Sequence, residues 1–264
     1  MIMQIRRRIA IFVCAKFKLV TLLGKNTSFM ITKKELKSIS SLRLKKNRKQ
    51  LSQFVAEGTK TVEALVEAGL RPLAIYATDL IDFPDAINVS QKDMERMSLL
   101  KNASPVLGLF PIPSTPSLPV GGRILVLDAI ADPGNLGTII RLCDWFGIEH
   151  ILCSEETVDL YNPKVVQATM GSLARVHCHY IDLIDYMSKS DLPVYGTFLE
   201  GDSIYTSSFP VDAMLVLGSE SHGISPSISS LVSHRVNIPR KANPGPESLN
   251  VAIAGAITLG EFCK

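Results

Sequence analysis

The sequence lacks both of the glycine patterns that mark the commonest nucleotide-binding loops. A dinucleotide fold needs Gly-x-Gly-x-x-Gly between a strand and a helix, and a phosphate loop ends in Gly-Lys-Ser/Thr. The nearest stretch, Gly134-Asn135-Leu136-Gly137-Thr138, sets its glycines one residue too far apart. Neither a dinucleotide nor a nucleoside triphosphate is therefore implied. No apolar run reaches the roughly 20 residues of a membrane span, so no membrane association is expected. The five cysteines, Cys14, Cys143, Cys153, Cys178 and Cys263, are scattered and odd in number. That argues against a disulfide framework and for a reducing, cytoplasmic setting. Acidic residues are nearly missing from one end. Residues 1–50 hold fourteen Lys or Arg against the single acid Glu35, so the overall charge of +3 conceals a basic start and a net acidic remainder.

Within that basic start, residues 1–29 carry no acid, and Arg6-Arg7-Arg8 precede a short apolar run at 9–15. The run is too short for a secretory signal and no small-residue cleavage site follows it. The composition fits an organelle transit peptide, but the reading preferred here is a non-structural basic extension upstream of a start at Met30.

Residues 30–110 read as a small α/β domain. Thr32-Lys-Lys-Glu35 has the form of a capping box and opens one helix running to about Lys45. Strands are expected at 54–57, 73–77 and 106–110, with helices at 59–68 and 90–98 between them. The cluster Lys33, Lys34, Lys37, Arg43, Lys45, Lys46, Arg48 and Lys49 would draw in a polyanion. It would equally serve as the solvated face of an amphipathic helix whose apolar stripe is Leu36, Ile39 and Leu42. Pro111, Pro113, Pro116 and Pro119 make 111–121 a linker. Residues 122–264 then alternate strand and helix, which implies a mainly parallel sheet with helices on both faces. The strands are expected at 124–127, 150–153, 176–180, 194–198, 213–217 and 236–238, and the helices at 136–146, 163–169, 183–189, 226–232 and 249–262.

Three segments in this second domain each follow an apolar strand: Asp132-Pro-Gly-Asn135-Leu-Gly-Thr-Ile-Ile-Arg141, Leu217-Gly-Ser-Glu220-Ser-His-Gly223, and Ile238-Pro-Arg-Lys-Ala-Asn-Pro-Gly-Pro-Glu247-Ser-Leu-Asn250. α/β proteins tend to place ligands at such strand ends. Asn135 is expected at a helix N-cap. Arg141, four residues after Gly137, is expected over a patch of bare backbone, the alternative being a surface salt bridge with Asp144 or Glu149. Gly218 removes a side chain so that a ligand can approach the backbone, and Glu220 supplies an acceptor. Ser248 is expected to cap the final helix, with Leu249 and Asn250 entering it.

Taken in this order, the three segments resemble the SpoU (TrmH-like) family of S-adenosylmethionine-dependent RNA ribose 2′-O-methyltransferases, a match that covers the chain from about Arg123 to its end. Phe54-Val-Ala-Glu-Gly58 is similar to the signature turn of the small RNA-binding domain that often precedes it. The resemblance implies a C-terminal trefoil knot, ribosomal or transfer RNA as substrate and a homodimer. It places Asn135, Arg141, Ser248 and Asn250 at the reacting hydroxyl, and Thr197, Gly218, Glu220, Ile238 and Leu249 around S-adenosylmethionine. The basic cluster makes Lys45, Lys46 and Lys49 candidates for RNA contact. The arginine matching Arg141 has been proposed as the base in such enzymes, yet guanidinium is effectively always protonated, so Arg141 is read here as stabilising the developing alkoxide. Two alternatives stay open: a knotted methyltransferase acting on a base, and a non-catalytic RNA-binding relative. No metal is expected, because His177, Cys178 and His179 alternate between faces of one strand. His222, within the glycine-bounded turn, is expected to be solvated, and Trp145 to be a core or dimer contact.

Overall fold

The computed structural model of the chain describes residues 31–241 and 247–264. The expectations for residues 1–29, and the proline-rich middle of the third segment at 242–246, lie outside them. The described residues divide into two compact units, those up to Pro113 with Tyr161–Gly171, and those of Ser114–Leu160 with those from Ser172 onward.

The first unit contains α1 (Lys33–Ser41), α2 (Lys45–Leu51), β1 (Gln53–Glu57), α3 (Thr59–Glu67), β2 (Ala74–Ala77), β3 (Ile87–Asn88), α4 (Gln91–Met97) and β4 (Val106–Pro111). The second continues with β5 (Arg123–Asp128), α5 (Pro133–Phe146) and β6 (His150–Cys153). Next along the chain is α6 (Pro163–Thr169), which belongs to the first unit. The second unit resumes with β7 (His177–Tyr180), α7 (Leu183–Ser188), β8 (Val194–Ser203), β9 (Ala213–Gly218), α8 (Pro226–Ser229), β10 (His234–Asn237) and α9 (Val251–Phe262). The excursion of α6 was not expected from the sequence, which reads 122–264 as continuous. Tyr161, its ring centroid 4.8 Å from that of Phe54, holds the excursion against β1.

In the first unit the sheet order is β1-β4-β2-β3, with β4 antiparallel to both its neighbours. Leu36, Ile39 and Leu42 pack with Val55, Met94, Met97 and Leu107 into its core. The capping box forms: Thr32 Oγ1 accepts from Glu35 N at 3.2 Å, and Thr32 N donates to Glu35 Oε2 at 2.8 Å. The single helix expected through Lys45 breaks at residues 42–44, and Arg48 holds the break. Its Nη1 donates to Leu42 O at 2.7 Å and to Arg43 O at 2.8 Å, occupying carbonyls that a continuing helix would offer to its own backbone. Arg48 is only 4% exposed, so it leaves the basic cluster and becomes a corner brace.

Glu57, in the Phe54-Val-Ala-Glu-Gly58 stretch, is buried as well. One carboxylate oxygen accepts from Ser98 Oγ and the other from Leu99 N, each at 2.7 Å. The signature glutamate thus ties the end of β1 to the turn after α4.

The second unit is built on a six-stranded sheet, order β10-β8-β9-β5-β6-β7, with every pair parallel. The central strands β5 and β9 are apolar without alternation because both faces are covered. Ile124, Val126, Met214 and Val216 pack against Leu183, Met187 and Ile228 from α7 and α8. On the opposite face α9 lies so close that a Cβ on Gly255 would sit 3.1 Å from Leu217.

Replacing Glu57 with Ala leaves the Leu99 N–H and the Ser98 hydroxyl buried without their acceptor, a loss of about 1–3 kcal/mol. Thermal denaturation should show a clear fall in Tm for Glu57→Ala and a smaller one for Glu57→Gln, which keeps an acceptor for Leu99. An unchanged Tm for the alanine variant would show that water replaces the carboxylate at no cost.

Candidate active site

Because all six strands run the same way, their C-terminal ends share one edge of the sheet, and the three segments leave from that edge after β5, β9 and β10. The first segment opens α5. Its N-cap is Asp132, whose Oδ1 accepts from Asn135 N at 2.8 Å, with Pro133 in the first turn. Asn135 is therefore inside the helix, not at its cap as expected, and its side chain is free for another task.

That task is a chain of hydrogen bonds through all three segments. Asn135 Nδ2 donates to Glu220 Oε1, and Asn250 Nδ2 donates to Asn135 Oδ1 at 3.0 Å. Asn250 Oδ1 accepts from Ala252 N at 2.9 Å and Ile253 N at 3.3 Å. Asn250, not Ser248, is thus the cap of α9, and neither Leu249 nor Asn250 enters the helix. Helix N–H groups can only donate and a carboxylate only accepts, so both amides between them have one satisfying orientation.

Glu220 reaches Asn135 because the second segment folds back on itself. Ser219 and Gly223 exchange backbone hydrogen bonds of 3.0 and 2.9 Å, and Gly223 has φ +67°. A Cβ on Gly218 would lie 2.1 Å from the Gly223 carbonyl carbon. The bare backbone at Gly218 is required first by the protein's own turn, which corrects the expectation that a ligand alone needs the space. Asp128, buried at the end of β5, accepts from Ser225 N at 2.7 Å and secures the far side of the same turn. Sequence reasoning passed over Asp128. Asp132 could have been found, since Asp-Pro is a cap followed by proline in the first turn.

The other expected residues are not drawn into this hydrogen-bonded chain. Arg141 is exposed and makes no hydrogen bond or ion pair with any described residue. Asp144 is held instead by Arg175, whose Nε lies 2.8 and 3.1 Å from its two oxygens, and this pairing holds the Asp144 carboxyl below its ordinary pKa. The salt bridge offered as the alternative role for Arg141 is therefore not made with Asp144. Gly137 is buried, so no open patch of backbone lies at that position. Arg141 stands about 9 Å along the axis from Asn135 and on a different side of α5. Thr197 begins an excursion of β8: the register with β10 jumps from Gly196 opposite Arg235 to Asp202 opposite Val236, leaving 197–201 out of the pairing. Its hydroxyl donates to Val216 O at 3.2 Å. Ile238 is half-buried, and Ser248 and Leu249 are exposed in the loop before α9.

Lys45, Lys46 and Lys49 lie exposed on α2. Elsewhere on the first unit, Lys33, Lys37 and Arg96 line an open cleft of about 310 Å³ with Leu36 and Ser40. The part played there by Arg96 was not apparent from sequence. On β6 and β7, His150 Nδ1 lies 3.0 Å from His179 Nε2, and burial followed by the neighbouring imidazoles lowers both pKa values. Among the described residues no group of three or more His, Cys, Asp or Glu is placed to hold a metal, and no helix is long and apolar enough to cross a membrane. His222 is exposed, as expected.

Residues 122–260 match the SpoU rRNA Methylase family, and residues 33–108 match the MRM3-like substrate binding domain. A protein of the TrmH family from Porphyromonas gingivalis has a similar structure, with a TM-score of 0.79 and 37% identity over 89% of this chain and 98% of that one. The AdoMet-bound rRNA methyltransferase from Sinorhizobium meliloti is similar too, with a TM-score of 0.74 and 26% identity over 89% and 97% of the two chains. The 23S rRNA (guanosine-2′-O)-methyltransferase RlmP of Bacillus subtilis is 25% identical over 236 residues, which is 85% of this chain and 94% of that protein. The three sequence segments, the parallel sheet that presents them and these likenesses agree: the chain belongs to the SpoU rRNA methylase family.

Proposed function

We propose that this protein transfers a methyl group from S-adenosylmethionine to the 2′-hydroxyl of a ribose in structured RNA, with ribosomal RNA the first substrate to test and transfer RNA the second. The observation that carries this reading is the hydrogen-bonded chain Glu220–Asn135–Asn250, which joins one residue from each segment. A ribose hydroxyl is a poor nucleophile, so such an enzyme must chiefly align it and lower the cost of losing its proton. S-adenosylmethionine, when bound, supplies a methyl group already activated by a sulfonium. The residues at the strand ends suit that cofactor. Ile238 and Leu249 offer apolar surface to an adenine, and Gly218, Thr197 and Glu220 offer backbone and polar groups for the rest.

Asn135, fixed in one orientation, and Asn250 present amide groups to a hydroxyl. Ser248, exposed beside them in sequence, adds a further hydroxyl. Arg141, which stands on a different side of α5 from Asn135, carries a permanent positive charge suited to stabilising the alkoxide as it forms. The departing proton passes to water or to a neighbouring side chain. The first unit, through Lys45, Lys46 and Lys49, holds RNA phosphates; the segment 111–121 links it to the methyltransferase part. The family resemblance further supports a C-terminal trefoil knot, a homodimer and work in the cytoplasm.

The direct test is mass spectrometry of nucleosides from unmodified rRNA and tRNA incubated with the enzyme and S-adenosylmethionine. A 2′-O-methylnucleoside is expected; a base-methylated product, or none, favours the alternatives. Arg141→Ala should abolish transfer with cofactor affinity nearly unchanged in calorimetry, and an equal loss of both would move Arg141 to the cofactor. Asn250→Asp should keep the cap of α9, and so the Tm, while turning the donor that faces Asn135 into an acceptor. Its rate should fall at least ten-fold, whereas Asn250→Ala should lose rate and about 1 kcal/mol of stability together. A fully active aspartate variant would show that the orientation of Asn135 does not matter.

A further inference from the structure

Residues 197–201 leave the sheet and pair with neither β9 nor β10. Arg235 on β10, a residue that sequence reasoning passed over, meets this excursion at both ends. Where it begins, the Arg235 guanidinium carbon lies 3.6 Å from the centroid of the Phe198 ring. Gly196 makes room for that ring, since a Cβ there would sit 2.7 Å from Phe198 Cε2 and 2.9 Å from Val232 Cγ2. Where the excursion returns, Gly201 has φ +152° and packs on the Arg235 backbone: a Cβ would lie 2.5 Å from the Arg235 carbonyl oxygen. Leu199 and Glu200, between these two contacts, are exposed.

We infer that Arg235 is a positioning residue for the cofactor: it clamps the 197–201 excursion to β10, so that Thr197 and Ile238 meet S-adenosylmethionine in a fixed relation. This rests on the proposed function, which puts Thr197 and Ile238 at that cofactor. β10 ends at Asn237 and leads directly into Ile238, so a loop fixed to Arg235 is fixed to the third segment. The Thr197 hydroxyl ties the start of the excursion to β9 through Val216 O, and Arg235 ties the rest to β10. A loop that is already ordered need not be ordered by its ligand, and that entropy would otherwise be lost from the affinity. A planar guanidinium suits the task because it stacks flat on a ring, which a lysine ammonium cannot do. A cation over an aromatic ring at an exposed site is worth about a five-fold change in an equilibrium constant.

The test combines calorimetry of the full chain with S-adenosylmethionine, hydrogen exchange at 197–201, and methylation of rRNA at saturating cofactor. Arg235→Ala should weaken cofactor binding about five-fold and quicken exchange at 197–201 in the free protein. Its Tm and saturated rate should stay near wild type, because the side chain is exposed and acts only through the loop. Arg235→Lys should fall between the two, keeping the charge without the flat stack. Phe198→Leu should weaken binding to a similar degree, and the double variant no further, since both changes remove one contact. Wild-type affinity in Arg235→Ala would overturn the clamp, as would additive losses in the double variant. A saturated rate lost at unchanged affinity would overturn it too, by putting Arg235 at the reacting groups. A Tm that falls in step with affinity would make its role merely structural. A wild-type chain that binds no S-adenosylmethionine would sink the proposed function together with the clamp. A wild type that binds and methylates beside an unaltered Arg235→Ala would sink the clamp alone.

Discussion

The candidate site depends on the hydrogen-bonded path from the N-terminus of α9 through Asn250 and Asn135 to Glu220. An isolated amide can turn over at little cost and exchange donor for acceptor. Here the backbone N–H groups of Ala252 and Ile253 hold one end and a carboxylate holds the other. Neither can change role, so the two amides between them inherit a direction. A helix N-terminus also favours the partial negative charge of the Asn250 oxygen. The stability of the last helix and the geometry of the site are therefore set by the same side chain.

That path needs its three contributors at one place, and the sheet supplies this. Parallel strands send every C-terminal end to one edge, and the continuous apolar runs of β5 and β9 bury those strands too deeply to slip in register. What the sheet does not supply is the last few ångströms, which come from close backbone contact. Gly218 lets the turn at Ser219–Gly223 fold against its own stem, and Asp128 secures the chain where it leaves. Any side chain at Gly218 would displace Glu220 before it met a ligand, so this glycine acts on the site through the turn.

Much of this was legible in the sequence, because it rests on periodicity and on caps. The expected strands at 150–153 and 194–198, the helix at 163–169 and the capping box at Thr32 follow from local pattern, and the three segments point to a site together. What escaped was set by tertiary partners. The caps of α5 and α9 were assigned to Asn135 and Ser248 when Asp132 and Asn250 hold them, since several adjacent polar residues are all competent caps and only the helix start decides. The break between α1 and α2 depends on a guanidinium turning inward, and the allegiance of α6 on a ring contact between Tyr161 and Phe54. Neither leaves a periodic trace. Arg141 was expected over bare backbone and Trp145 as a core or dimer contact, but only the fold shows that both are exposed on α5.

The basic start of the chain illustrates why charge counted in sequence is not charge offered to a partner. Of the eight Lys and Arg between Lys33 and Lys49, Arg48 is buried as a brace, and Arg43 donates to Ser98 O at 3.2 Å. Each cation that meets a phosphate adds about 0.9 to the slope of log affinity against log salt on duplex nucleic acid, so eight charges and seven, with Arg48 buried and Arg43 still exposed, imply different salt dependence. Arg96, distant in sequence, joins Lys33 and Lys37 at their cleft and restores part of the difference. The electrostatic footprint is thus a property of the folded unit. It cannot be obtained by summing along the chain, because folding spends some cations on its own carbonyls and gathers others from elsewhere.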